Sequence, residues 1–92
     1  MSDIDFFKKE LAPLLSSFNI KYRNFSEGDL GALEQVLFES QNMGGNLDFW
    51  DSGWLGVYIY DYISDSEVFN KLFEPTDEHQ EALRDIISNM IS

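Results

Sequence analysis

Residues 46 to 62 read Asn46-Leu47-Asp48-Phe49-Trp50-Asp51-Ser52-Gly53-Trp54-Leu55-Gly56-Val57-Tyr58-Ile59-Tyr60-Asp61-Tyr62. Two runs rich in aromatic and aliphatic residues flank Asp51-Ser52-Gly53, a turn signal. A three-residue hairpin loop, with Gly53 in the left-handed position such loops require, sets Trp50 opposite Trp54. Side chains alternate along a strand, so this register sorts every residue of the hairpin. Leu47, Phe49, Leu55, Val57 and Ile59 fall on one aliphatic face suited to the underside of two helices. Asp48, Trp50, Trp54, Gly56, Tyr58, Tyr60 and Tyr62 fall on the other. A two-residue loop would mix both kinds on both faces, so the pattern favours the longer loop.

Outward from this hairpin, strands are expected near 20–25, 32–40, 46–51, 54–63 and 67–73. Turn signals separate them at Ser26-Glu27-Gly28, Asn42-Met43-Gly44-Gly45, Asp51-Ser52-Gly53 and Ser64-Asp65-Ser66. Connections this short imply antiparallel neighbours. Val68, Phe69, Leu72 and Phe73 also fit a helical period; we read 67–73 as strand in preference to helix.

A helix is expected at each end. Over 3–18, Ile4, Phe7, Leu11, Leu14, Leu15 and Phe18 form a stripe about 100° wide at helical spacing. Ser2 is the expected N-cap, with Asp3 and Asp5 in the first turn, where the helix dipole favours acids. Pro13 removes a helix hydrogen bond opposite the stripe, which predicts a kink toward solvent. The closing helix is expected over 77–91, after Pro75 and capped by Thr76, with Ala82, Leu83, Ile86, Ile87 and Met90 inward. The fold class is therefore α+β: N-terminal helix, antiparallel β-meander of four to five strands, C-terminal helix. The helices form a single layer on the sheet of one domain, 1–92, without repeats or linkers.

At 92 residues such a domain buries about 60 to 65% of its unfolded surface. With 43% hydrophobic and 15% aromatic residues the chain is too apolar for disorder, even at net charge -11. There is no cysteine, hence neither a disulfide framework nor a thiolate metal site. The N-terminus is acidic rather than signal-like, and the longest apolar run, Trp54 to Tyr60, is too short for a bilayer. A cytoplasmic location is the expectation. Lys8, Lys9, Lys21 and Arg23 are four of the six basic residues, whereas residues 24 to 92 hold fourteen of the seventeen acids. A field of that sign repels phosphate backbones and anionic headgroups and attracts cationic partners. Neither nucleic acid nor membrane is an expected partner.

Catalytic chemistry finds little support. His79, the only histidine, lies in the apolar stripe of the last helix and reads as packing or a cap neighbour. No nucleophile motif, phosphate loop or HExxH is present. Asp61-x-x-x-Asp65-x-Glu67 lacks the glycine and ligand spacing of a calcium loop, and at this density carboxylate pairs arise by chance. We expect no catalytic residue, no cofactor and no metal.

The aromatic face carries the functional expectation. If both helices cover the aliphatic side, Trp and Tyr rimmed by carboxylates stay open, and such residues anchor protein interfaces. One helix on each side would instead make them amphipathic packing with hydroxyls at the rim. The candidate partner-binding residues are Asp48, Trp50, Asp51, Trp54, Tyr58, Tyr60, Asp61, Tyr62, Asp65 and Glu67.

Helix first, then an aromatic-rich meander with Gly-Asn-Leu-Asp-Phe-Trp-Asp-Ser-Gly-Trp-Leu-Gly-Val-Tyr-Ile-Tyr-Asp at 45 to 61, then an amphipathic helix: this acidic chain resembles the small immunity proteins of bacterial polymorphic toxin systems, including contact-dependent growth inhibition. The resemblance covers most of the chain in architecture and residues 45 to 73 in sequence character. It implies a protein that binds and blocks a cognate C-terminal toxin domain, often a basic nuclease. Two alternatives use related features. A DNA-mimic inhibitor would space its carboxylates like phosphates, and a generic regulatory interaction module would need the aromatics without the charge.

Overall fold

The computed structural model describes residues 2–27 and 30–91. Its centre is a five-stranded antiparallel meander in sequence order, β1 (Asn19–Phe25), β2 (Leu33–Glu39), β3 (Met43–Trp50), β4 (Leu55–Asp61) and β5 (Ser66–Phe73). The β3–β4 hairpin has the expected register: Phe49 faces Leu55, Leu47 faces Val57, and the Trp50 amide donates to the Trp54 carbonyl at 3.1 Å. Gly53 closes the loop at φ 100°, donating to the Trp50 carbonyl at 3.0 Å. Leu47, Phe49, Leu55, Val57 and Ile59 are buried, joined by Val36 and Phe38 from β2 and Phe73 from β5.

The helices lie on this aliphatic side only. One core holds Ile4, Phe6, Phe7, Leu11 and Leu15 from the N-terminal segment, Leu83 and Ile87 from α2 (His79–Ile91), and the inward sheet residues. The Phe7 ring meets Phe49 at 6.4 Å, and the Arg84 guanidinium lies 5.4 Å from the Phe6 ring centroid, tying the two helices to each other. At about 25 cal/mol per Å² of buried apolar surface, this single layer supplies most of the folding drive.

The N-terminal segment departs from a regular 3–18 helix. It runs as α1 (Asp3–Phe6), a π turn (Phe7–Leu11) and a 3₁₀ turn (Ala12–Leu15). Ser2 caps it as expected, its hydroxyl accepting from the Asp5 amide at 3.2 Å. Pro13 has no amide to continue the α ladder, and just before it the Ala12 amide reaches back to the Phe7 carbonyl. The extra residue in that turn rotates the side chains after it about the helix axis. Leu14, expected inward, is 48% exposed, and Phe6 is buried in addition. Phe18 lies beyond the helix, edge-on to Phe38 at 6.0 Å.

Three further expectations are corrected. Met43-Gly44-Gly45 is not a turn but the start of β3; the reversal is at 40–42, held by the Ser40 amide donating to the Met43 carbonyl at 2.8 Å. The glycines serve close approach instead, because a Cβ on Gly45 would collide with the Tyr58 carbonyl and the Phe38 ring. The last helix starts at His79, not 77. Its approach is a turn in which the Asp77 carboxylate accepts the Glu74 amide at 2.7 Å, a bond that serves the turn and not the helix cap expected of Thr76. His79 is buried as packing against Phe73, and its ring also bridges elements. Nδ1 lies 2.6 Å from Asp3 Oδ2 and Nε2 lies 2.6 Å from the Glu74 carbonyl. Both partners are acceptors, so each ring nitrogen donates only when it carries a proton.

Residues 67–73 are strand. A register shift between Ile59 and Tyr60 leaves Val68 unpaired, with Phe69 opposite Ile59 and Glu67 opposite Tyr60. The extra residue explains the helix-like spacing of the apolar side chains. The expected turn at Ser26-Glu27-Gly28 ends on Gly28, which lies outside the described residues.

Candidate functional site

With both helices on the aliphatic side, the other face of the sheet has no layer over it among the described residues. Its registers form transverse rows. One row runs Asn19, Glu39, Gly44, Tyr60, Glu67; the next runs Lys21, Leu37, Asn46, Tyr58, Asn70; the third runs Arg23, Gln35, Asp48, Gly56, Leu72.

Glycines in two of these rows let aromatic rings lie flat on the sheet. The Trp50 ring covers Gly56, where a Cβ would meet ring carbons at 3.3 and 3.4 Å. The Tyr62 ring covers Gly44, its hydroxyl occupying the space a side chain would need. Along β4 the tyrosines form a ladder: Tyr58 stacks on Tyr60 at 6.5 Å and 28°, and Tyr60 meets Tyr62 at 6.0 Å. Tyr58 and Tyr60 are half-buried, and Tyr62 is 44% exposed. Beside the ladder the face is concave, a basin of about 960 Å³ whose walls include Lys21, Leu37, Glu39 and the three tyrosines.

The candidate acids are divided between structural and free roles. Asp48, within the face, accepts from Gln35 Nε2 at 2.8 Å and from Asn46 Nδ2 at 3.2 Å. Asp51 accepts the Ala32 amide at 3.1 Å, and the neighbouring Ser52 hydroxyl donates to the Leu30 carbonyl, so the hairpin tip clamps the segment before β2. Asp61 caps the β4–β5 turn through the Ile63 amide at 2.9 Å. Asp65, at φ 53°, accepts the Tyr60 hydroxyl at 2.6 Å. That hydrogen bond, with lesser help from burial and from the Asp65 charge, raises the Tyr60 phenol above its usual value. Burial alone raises Tyr22, on the helix side beneath Lys8. Glu67 is exposed next to Tyr60.

Tyr58, Tyr60, Tyr62, Asp61, Asp65 and Glu67 thus gather at one end of the sheet. Trp50, Trp54 and Asp51 lie at the other, about 20 Å away along strands rising roughly 3.3 Å per residue. Asp48 sits between. The hairpin reading missed Glu39, Leu37 and Asn46, and also Lys21 and Arg23, which give the β1 margin of this face a positive edge. Alternation in β2 held the signal: Val36 and Phe38 inward puts Leu37 and Glu39 outward. Among the described residues no group of His, Asp and Glu is arranged to hold a metal ion, and no helix is long and apolar enough to cross a membrane.

Comparison with known protein families, with curated proteins and with solved structures finds no match to this chain.

Proposed function

We propose that this chain is a non-catalytic inhibitor: an immunity protein that works in the bacterial cytoplasm and neutralises a cognate, basic, nuclease-type toxin domain through the open aromatic face of its sheet. The observation that carries the reading is that face itself, a sheet surface with a tyrosine ladder and free carboxylates at one end. Aromatic patches of this kind anchor interfaces, since their rings desolvate readily and bury much area for little lost freedom. A nuclease needs a cationic groove for phosphates. A chain of net charge -11 steers toward such a groove, and steering speeds encounter by about 10 to 1000-fold at low salt.

The DNA-mimic alternative is less well supported. Carboxylates on the face are separated by tyrosines and amides, Asp48 is occupied by Gln35 and Asn46, and Lys21 and Arg23 line one margin.

The roles divide by rate. Trp50→Ala or Tyr60→Ala is expected to weaken the complex mainly through faster release. Glu67→Gln, a free carboxylate, should mainly slow association and reduce its salt dependence. Surface plasmon resonance at two salt concentrations separates the two; equal effects of both substitutions on both rates contradict the division. The reading as a whole is tested by co-expression with the gene immediately upstream in the source genome, followed by affinity purification at low and high salt. A stoichiometric complex with a basic fragment that kills cells when expressed alone supports it. Recovery of this chain alone, with cells tolerating the neighbour, removes its basis.

A further inference from the structure

Resting on the reading of this face as a protein-binding surface, we infer that the space between the tyrosine ladder and Glu39 is a subsite for one arginine side chain of the partner. Glu39 and Tyr60 lie in the same transverse row, separated only by Gly44. Two strand spacings put them about 10 Å apart. Gly44 has no side chain to fill that gap, and the Tyr62 ring lies over it. The result is an aromatic floor with a carboxylate at one end and, beyond Tyr60, Asp65 and Glu67 at the other.

The chemistry of this space selects a flat cation. Tyr60 donates its hydroxyl proton to Asp65 and its ring packs between Tyr58 and Tyr62, so a ligand meets the aromatic surface of the ladder as a whole, with Tyr62 its most exposed ring. A guanidinium stacks on such a face and extends its fork of donors to a carboxylate, whereas an ammonium is a compact, strongly hydrated point charge. Lys21, the opposing charge on the basin wall, is the diagonal neighbour of Glu39, about 8 Å away by one strand spacing and two residues of rise, and makes no ion pair with it. Glu39, Asp65 and Glu67 together outnumber that one charge, so the local balance favours a cation.

The test uses the full chain and capped single amino acids: N-acetyl-arginine methylamide, its lysine counterpart and its neutral citrulline counterpart. Aromatic proton–carbon NMR spectra report on each tyrosine. Capped arginine should give saturable shifts on Tyr58, Tyr60 and Tyr62 and none on Tyr22, with lysine weaker and citrulline silent. Tyr60→Leu and Glu39→Gln should each weaken arginine binding about threefold or more, with signals from Leu83 and Ile87 unchanged as the folding control. Citrulline binding as tightly as arginine overturns the inference. So does tighter binding of oligothymidylate with the same shifts, which would mark a base-stacking platform. Absence of saturable arginine shifts alongside an intact toxin complex overturns the subsite and leaves the inhibitor reading standing; arginine binding without any toxin complex does the reverse.

Discussion

Gly45 and Gly56 stand on opposite faces of the sheet and differ in what surrounds them. A side chain at Gly45 meets the β4 backbone and the Phe38 ring inside the core, where nothing can yield cheaply. Gly45→Ala should therefore cost about 1 to 3 kcal/mol by urea denaturation. At Gly56 the neighbour is the Trp50 ring at 3.3 Å, a side chain on the uncovered face that has to give by only a few tenths of an ångström, so Gly56→Ala should cost less than Gly45→Ala, about 1 kcal/mol or under. Equal losses would mean that Trp50 is as fixed as the core. Tyr60 supplies a second check at this scale. Its phenol is raised above 10.0 chiefly by the hydrogen bond to Asp65, so the folded chain holds the proton to higher pH than the unfolded chain. The associated stability is complete below pH 10 and lost as pH rises through the folded value. Asp65→Gly suits the positive φ while removing the acceptor and its charge, and should lower the Tyr60 midpoint in an ultraviolet alkaline titration. An unchanged midpoint would show that Asp65 is not the cause. At this scale Gly44 and Gly45 are easily misread because glycine serves both turns and close backbone approach, and only the partner strand decides which.

Among the elements, the β3–β4 hairpin was legible in register, since face chemistry and the Gly53 turn both demand one pairing, but not in the early start of β3 at Met43. β5 was legible as strand, but its bulge was not, because Val68 lacks a partner only once β4 is in place. The N-terminal helix was legible in its start and in the inward positions Ile4, Phe7, Leu11 and Leu15, but not in its pitch, its end at Leu15 or the outward turn of Leu14. Proline signals a lost hydrogen bond, but whether the chain kinks or widens into a π turn depends on how Phe7 and Leu11 pack. The start of α2 lies two residues later than expected because Thr76-Asp77-Glu78 has the composition of a cap, while Asp77 instead serves the turn from Glu74. Substitution discriminates between the two roles. Asp77→Ala should lower stability by about 1 kcal/mol, and Thr76→Ala should stay within about 0.5 kcal/mol, by thermal or urea unfolding. A larger loss at Thr76 would favour a helix start at 77.

For the molecule as a whole, the decisive feature is the asymmetry of its layers. The sequence placed the aliphatic and aromatic residues on opposite sides, yet it left open whether the helices share a side; Phe7, Phe6 and Leu83 in one core answer that. The candidate site was half legible. Its tyrosines follow from the hairpin, but the roles of Asp51 and Asp61 as turn clamps, and the positive β1 margin, depend on how loops and outer strands assemble. Charge alone would point elsewhere, since Glu78, Glu81 and Asp85 form an exposed acidic surface on the helix side. These two surfaces make competing predictions for the cognate toxin domain recovered by co-expression. The most direct measurement compares its affinity for two folded triple variants: Tyr58, Tyr60 and Tyr62 to Ser, and Glu78, Glu81 and Asp85 to their amides. If the open sheet face is the binding surface, the tyrosine variant weakens the complex by about 100-fold or more, whereas the helix variant loses less than about 10-fold, mostly in association rate. The reverse order, with the tyrosine variant binding at full strength, would contradict it and assign binding to the helix layer.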